Sequence, residues 1–127
     1  MDPRPATVAE IAERAATPAD FAAAWREFLD RFYAEPSAVA VKESPRLLRA
    51  ILADDGYADA FLAAMAAQLA RRYRFPVPDW TAAPERYMTD PFFALKSRKN
   101  WAVLLQDSPA EFRARRLFVS ANVLDRA

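Results

Sequence analysis

Phe21, Trp25, Phe28, Leu29 and Phe32 recur at intervals of three and four residues, the spacing that gathers side chains on one face of an α-helix. Arg26, Glu27, Asp30 and Arg31 fall off that face, and the pairs Arg26–Asp30 and Glu27–Arg31 stand one helical turn apart. A second, longer helix is predicted over about 57–73, with Tyr57, Phe61, Leu62, Met65, Leu69 and Tyr73 on one face. Its small residues Ala60, Ala63, Ala64, Ala66 and Ala67 let a neighbouring helix come close. Between these two, Leu47, Leu48, Ile51 and Leu52 predict a shorter apolar face, ended by the single glycine, Gly56, as a left-handed C-cap.

The polar positions mark where helices begin. Thr7-Val-Ala-Glu10 and Ser108-Pro-Ala-Glu111 read as capping boxes: the hydroxyl accepts the amide three residues on, and the Glu carboxylate reaches back. Thr17-Pro-Ala-Asp20 is a weaker version, because Asp is shorter. Proline at the first helical position loses nothing, since its missing N–H has no partner there. Ser44-Pro45 and Asp90-Pro91 repeat the cap–proline opening without the acid.

After Arg74 the pattern changes. In Phe75-Pro-Val-Pro-Asp-Trp80 each proline pushes its predecessor out of the α region, which predicts an extended strap. Short helices are expected beyond it, over about 82–88, 91–96, 97–106, 109–116 and 120–125. The fold expected is all-α: one helical domain over 1–127, with a bundle of four helices in 1–73 and the strap and short helices of 74–127 packed on it. At 127 residues the chain has room for one domain, and 54% hydrophobic residues suffice for its core.

Composition narrows the chemistry. With one glycine, neither a phosphate-cradling loop nor a dinucleotide fingerprint can be built. With no histidine and no cysteine, imidazole and thiolate catalysis and the common zinc sites are excluded. The N-terminal residues show no apolar signal-peptide core, and the longest apolar run, 60–70, is too short to span a membrane and contains Gln68, so a cytoplasmic location is expected. Asp54, Asp55 and Asp59 could hold a hard cation. Acids at the start of a helix also simply oppose its dipole, and that reading is preferred. No enzyme, cofactor or metal is expected.

Charge is uneven. Residues 1–70 hold seven Lys/Arg against eleven Asp/Glu, net −4, and residues 71–127 hold eleven against six, net +5. Three basic clusters lie in the second half: Arg71, Arg72 and Arg74; Lys96, Arg98 and Lys99; and Arg113, Arg115 and Arg116. Tyr73, Phe75, Trp101 and Phe112 stand beside them, so a nucleic-acid-binding module is one reading, with cations on phosphates and rings on bases. A protein-binding surface is the other. Trp80, Tyr87, Phe92, Phe93, Trp101 and Phe118 are many rings for short helices to hide, and Trp with Arg is the pairing enriched at binding hot spots. On a helix, adjacent Phe92 and Phe93 would point about 100° apart, so they should not both enter the same core pocket. The acidic front and basic back also allow a homo-oligomer.

The run Leu69-Ala-Arg-Arg-Tyr-Arg-Phe-Pro-Val-Pro-Asp-Trp80, the element Asp90-Pro-Phe-Phe93, and the ending Ser108-Pro-Ala-Glu-Phe-Arg-Ala-Arg-Arg-Leu-Phe-Val-Ser-Ala-Asn-Val-Leu124 together resemble a poorly characterised bacterial family. Its members are encoded beside a nucleotidyltransferase-like protein, in an arrangement similar to toxin–antitoxin pairs, and many carry an N-terminal helix-turn-helix that residues 1–68 lack. The resemblance covers 69–127. It implies an antitoxin-like, non-catalytic protein that binds and restrains a neighbouring protein. Trp80, Phe92, Phe93 and Trp101 are then expected as apolar anchors, and Arg113, Arg115 and Arg116 as partners for acidic groups.

Overall fold

The computed structural model describes residues 1–95 and 97–126. Its elements run α1 (Val8–Arg14), α2 (Pro18–Ala34), α3 (Val39–Lys42), α4 (Arg49–Leu52) and α5 (Tyr57–Arg72). Two 3-10 turns follow (Asp79–Ala82 and Pro84–Arg86), then β1 (Phe92–Phe93), a 3-10 turn (Arg98–Asn100) leading into α6 (Trp101–Asp107), α7 (Ala110–Ala114) and β2 (Leu117–Phe118). The chain is predominantly helical, with one short parallel pair in which Phe92 faces Leu117 and Phe93 faces Phe118.

Local chemistry explains where α1 and α2 begin. Thr7 and Thr17 lie in extended backbone, and their hydroxyls accept the Glu10 and Asp20 amides, both at 3.1 Å. The Glu10 carboxylate reaches back to the Ala6 amide at 2.8 Å, one residue past the cap itself. Pro18 opens α2 and Phe21, Trp25, Phe28, Leu29 and Phe32 form its buried face. In α5 burial extends to nearly every side and includes Ala58, Ala60, Ala63, Ala64, Ala66, Ala67 and Ala70, so this helix is the axis around which the rest is laid. The expected single apolar face of 57–73 is thereby corrected: a helix apolar all round is enclosed all round.

Phe61 on α5 joins the two halves. Its ring meets Phe21 edge-on at 5.8 Å and Trp25 at 4.8 Å on α2, and Phe112 on α7 edge-on at 5.3 Å. Residues from Val8 to Leu124 share one buried cluster. Among the described residues no helix is long and apolar enough to cross a membrane.

Several expected boundaries fall. Ser44-Pro45 and Asp90-Pro91 start no helix: α4 begins at Arg49, and Pro91 leads into β1. Ser108 does not cap α7. Its hydroxyl accepts the Val119 amide at 2.9 Å, while Gln68 of α5 accepts the Glu111 amide at 3.3 Å. The helix expected over 82–88 is two 3-10 turns, and that over 91–96 is replaced by β1 at Phe92–Phe93. The stretch 120–125 is a turn, tied to α2 where the Tyr33 hydroxyl donates to the Leu124 carbonyl at 2.8 Å. Gly56 is left-handed (φ 86°) as expected, but it opens α5, and Ala53 (φ 50°) is the left-handed residue that closes α4. Of the short apolar face only Leu48 is buried outright, while Leu47 and Ile51 stay exposed.

Candidate functional site

Phe92 and Phe93 diverge, for a different reason from the one the sequence suggests: successive residues of a strand point to opposite faces. Phe92 turns inward onto Tyr57, with ring centroids 4.5 Å apart. Burial there pushes the Tyr57 hydroxyl up to about 12, and nearby Asp54 adds to the shift. Phe93 turns the other way. It lies parallel to Trp101 at 4.2 Å and to Phe118 at 4.9 Å, so three half-buried rings make one stack across β1, β2 and the start of α6. The Trp101 indole N–H donates to the Leu95 carbonyl at 3.0 Å, and the Arg98 guanidinium lies over the same indole at 5.5 Å. Pro91, Phe92, Phe93 and Trp101 line an open hollow of about 480 Å³. Close in sequence, Leu95, Val103 and Leu105 are exposed, 47%, 55% and 48% accessible, with Leu105 one helical turn from Trp101.

Trp80 stands apart from this stack. Its indole N–H donates to the Val41 carbonyl at 3.1 Å, and Arg86 covers its ring at 4.9 Å. With Pro76, Pro78, Ala38 and Lys42 it borders a separate hollow of about 470 Å³.

The three C-terminal arginines do three different things. Arg113 is exposed, and its guanidinium donates to the Gln106 carbonyl at the end of α6 at 3.0 Å. Arg116, also exposed, takes a left-handed backbone (φ 64°) and donates to the Thr89 carbonyl at 2.5 Å. Arg115 is buried, and this corrects its expected role as a partner-facing cation. Its guanidinium donates to the Glu111 carbonyl and carboxylate, both at 2.9 Å, and to the Thr81 carbonyl at 2.7 Å, and it lies over the Tyr87 ring at 4.9 Å. Burial opposes ionisation of Glu111, but hydrogen bonds from Arg115 and Arg71 outweigh it and hold this carboxyl below its ordinary range.

The residues of the nucleic-acid reading are partly engaged as well. Arg71 pairs with Glu111, and Arg72 donates to the Tyr33 hydroxyl at 3.3 Å. Arg74 is the left-handed residue (φ 60°) that closes α5: its amide donates to the Arg71 carbonyl, and the next amide, of Phe75, donates to Ala70 at 2.8 Å. That is the paired bonding of a Schellman C-cap, with arginine where glycine is usual. Arg98 and Lys99 are exposed at the entry to α6, and Lys96 lies outside the described residues.

One buried network escaped the sequence reading. The fully buried Asp59 accepts the Leu48 amide at 2.6 Å and the Arg49 guanidinium at 3.0 Å, and lies 3.8 Å from the buried Arg86. Arg86 also donates to the Pro45 carbonyl at 2.5 Å. Burial depresses the Arg86 pKa, against the pull of Asp59. Asp54 accepts the Gly56 and Ala58 amides at 3.0 and 2.9 Å, the duty expected of an acid at a helix start. Among the described residues no three acids are grouped to hold a metal ion.

Comparison with known protein families, with curated proteins and with solved structures gives no match.

Proposed function

We propose that this chain is a non-catalytic, antitoxin-like protein that binds a neighbouring protein through its C-terminal half. In this reading the N-terminal helices are a bundle, and the proline strap and later elements are laid on it as the binding surface. The observation that carries it is the Trp101–Phe93–Phe118 stack, half-buried, with the exposed Leu105 one turn along α6 from Trp101 and Leu95 bonded to the indole through its carbonyl. Aromatic rings already immobilised lose little entropy on binding, and apolar surface left in water is released when a partner covers it. Exposed Arg98, Lys99, Arg113 and Arg116 provide a polar rim. Phe92, held against Tyr57, supports this surface from behind, and Trp80, in its own hollow, offers a second, separate apolar anchor.

The test is co-purification with the protein encoded beside this chain. Wild type is expected to retain it. Trp101→Ala is expected to weaken capture about tenfold or more, with circular dichroism checking that the variant stays folded. No capture by wild type, or undiminished capture by both Trp101→Ala and the pair Arg113→Glu with Arg116→Glu, contradicts the reading.

A further inference from the structure

The same surface has a direction and a sign, which narrow the chemistry of what covers it. On α6, Leu104 points into the core, Trp101 and Leu105 lie one turn apart on one flank, and Val103 and Asp107 fall on the other. The Leu95 carbonyl accepts the Trp101 indole N–H, which holds the backbone of this exposed leucine beside the first flank. Cations stand at both ends of α6. Arg98 lies over the indole at its start, and Arg113 is held at the Gln106 carbonyl at its end. Two acids occur in the stretch 91–118, Asp107 on the opposite flank and Glu111 already bonded to Arg71 and Arg115. The flank is therefore an apolar ridge of Leu95, Trp101 and Leu105 bracketed by arginines.

We infer that the occupant is an acidic amphipathic helix of the partner protein, its apolar stripe on Leu95, Trp101 and Leu105 and its carboxylates on Arg98 and Arg113. This rests on the partner-binding reading and adds the partner's form and sign. A helix laid beside α6 presents apolar residues every three or four positions, which matches a ridge one turn long. Carboxylates flanking that stripe meet arginine at either end, and a basic helix would meet repulsion there.

Two synthetic helices of about 18 residues, one of Leu, Ala and Glu and one of Leu, Ala and Lys in the same pattern, are labelled and titrated with the full chain by fluorescence anisotropy. The Glu helix is expected to bind, more weakly as salt rises, and the Lys helix to bind at least about tenfold less well. Leu105→Glu is expected to abolish binding of the Glu helix, and Arg98→Glu with Arg113→Glu to reverse the preference. Both alter exposed side chains, and circular dichroism checks that each variant stays folded. Equal binding of the two helices overturns the inference. So does no binding of the Glu helix, or its displacement by single-stranded RNA or by a second copy of this chain. If the neighbouring protein is captured but Leu105→Glu leaves capture intact, this inference fails and the broader reading stands. If the Glu helix binds and the neighbouring protein does not, the surface is as inferred and its partner lies elsewhere.

Discussion

Asp59 shows how much one residue can hold. Its carboxylate meets the Leu48 amide and two guanidiniums, one of them on Arg86, which is 3% accessible. A buried charge is tolerated when paired and costly when its partner goes, so Asp59→Ala leaves Arg86 uncompensated and should cost about 3–5 kcal/mol. Urea unfolding would read this, and a loss under about 1 kcal/mol would mean the network is not formed in solution. Glu111 gives the pH-dependent counterpart. Its folded pKa lies below its ordinary value of 4.5, so the stability it contributes is complete above that value and is lost as pH falls through the folded pKa. The advantage of wild type over Glu111→Gln should therefore shrink on acidifying below 4.5, measured by unfolding midpoints across pH. An advantage constant down to about pH 3 would contradict the pairing with Arg71 and Arg115. The Asp59 network was not legible in the sequence, since its contacts join residues 10 to 27 positions apart. Of the Glu111 pairs only the one to Arg115, four residues on, is local, while Arg71 lies 40 positions away.

At the scale of elements, what local chemistry governs was legible and what tertiary contacts decide was not. Thr7 and Thr17 cap their helices because nothing competes for their hydroxyls. Ser108 has the same motif, yet its hydroxyl is taken by Val119, beyond α7 and β2, so the motif misled. The consequence is measurable. Thr17→Ala should cost about 1 kcal/mol and act on α2. Ser108→Ala should cost more, about 1–3 kcal/mol, because it strands a buried amide and loosens the link between α6 and β2. Equal costs would return Ser108 to a capping role. Phe92-Phe93 was read with the wrong period for a related reason. Two apolar residues after a proline suit a helix start or a strand equally, and only the partner strand Leu117–Phe118 decides. The left-handed turns at Arg74 and Arg116 were hidden because glycine is the usual signal and arginine stands there.

Across the whole molecule, the helical character was open to reading from periodicity, while the central place of 57–73 was not, because its alanines suit a surface as well as an interior until the elements around them are known. The candidate surface was legible as a set of rings and cations. Its division was not: Arg115 belongs to the interior, Trp80 to a separate hollow, and Phe93 with Trp101 to a stack that only folding assembles. Leu95 and Leu105 carried no local signal, because exposed leucine is distinguishable from core leucine only once the core is known. The account stands or falls on where a partner touches this chain. Hydrogen exchange of the free chain and of its complex with the neighbouring gene product measures that directly. Added protection is predicted across 93–106, with the exposed N-terminal face of α2 unchanged. Protection confined to residues 1–70, or none in 93–106, would contradict it.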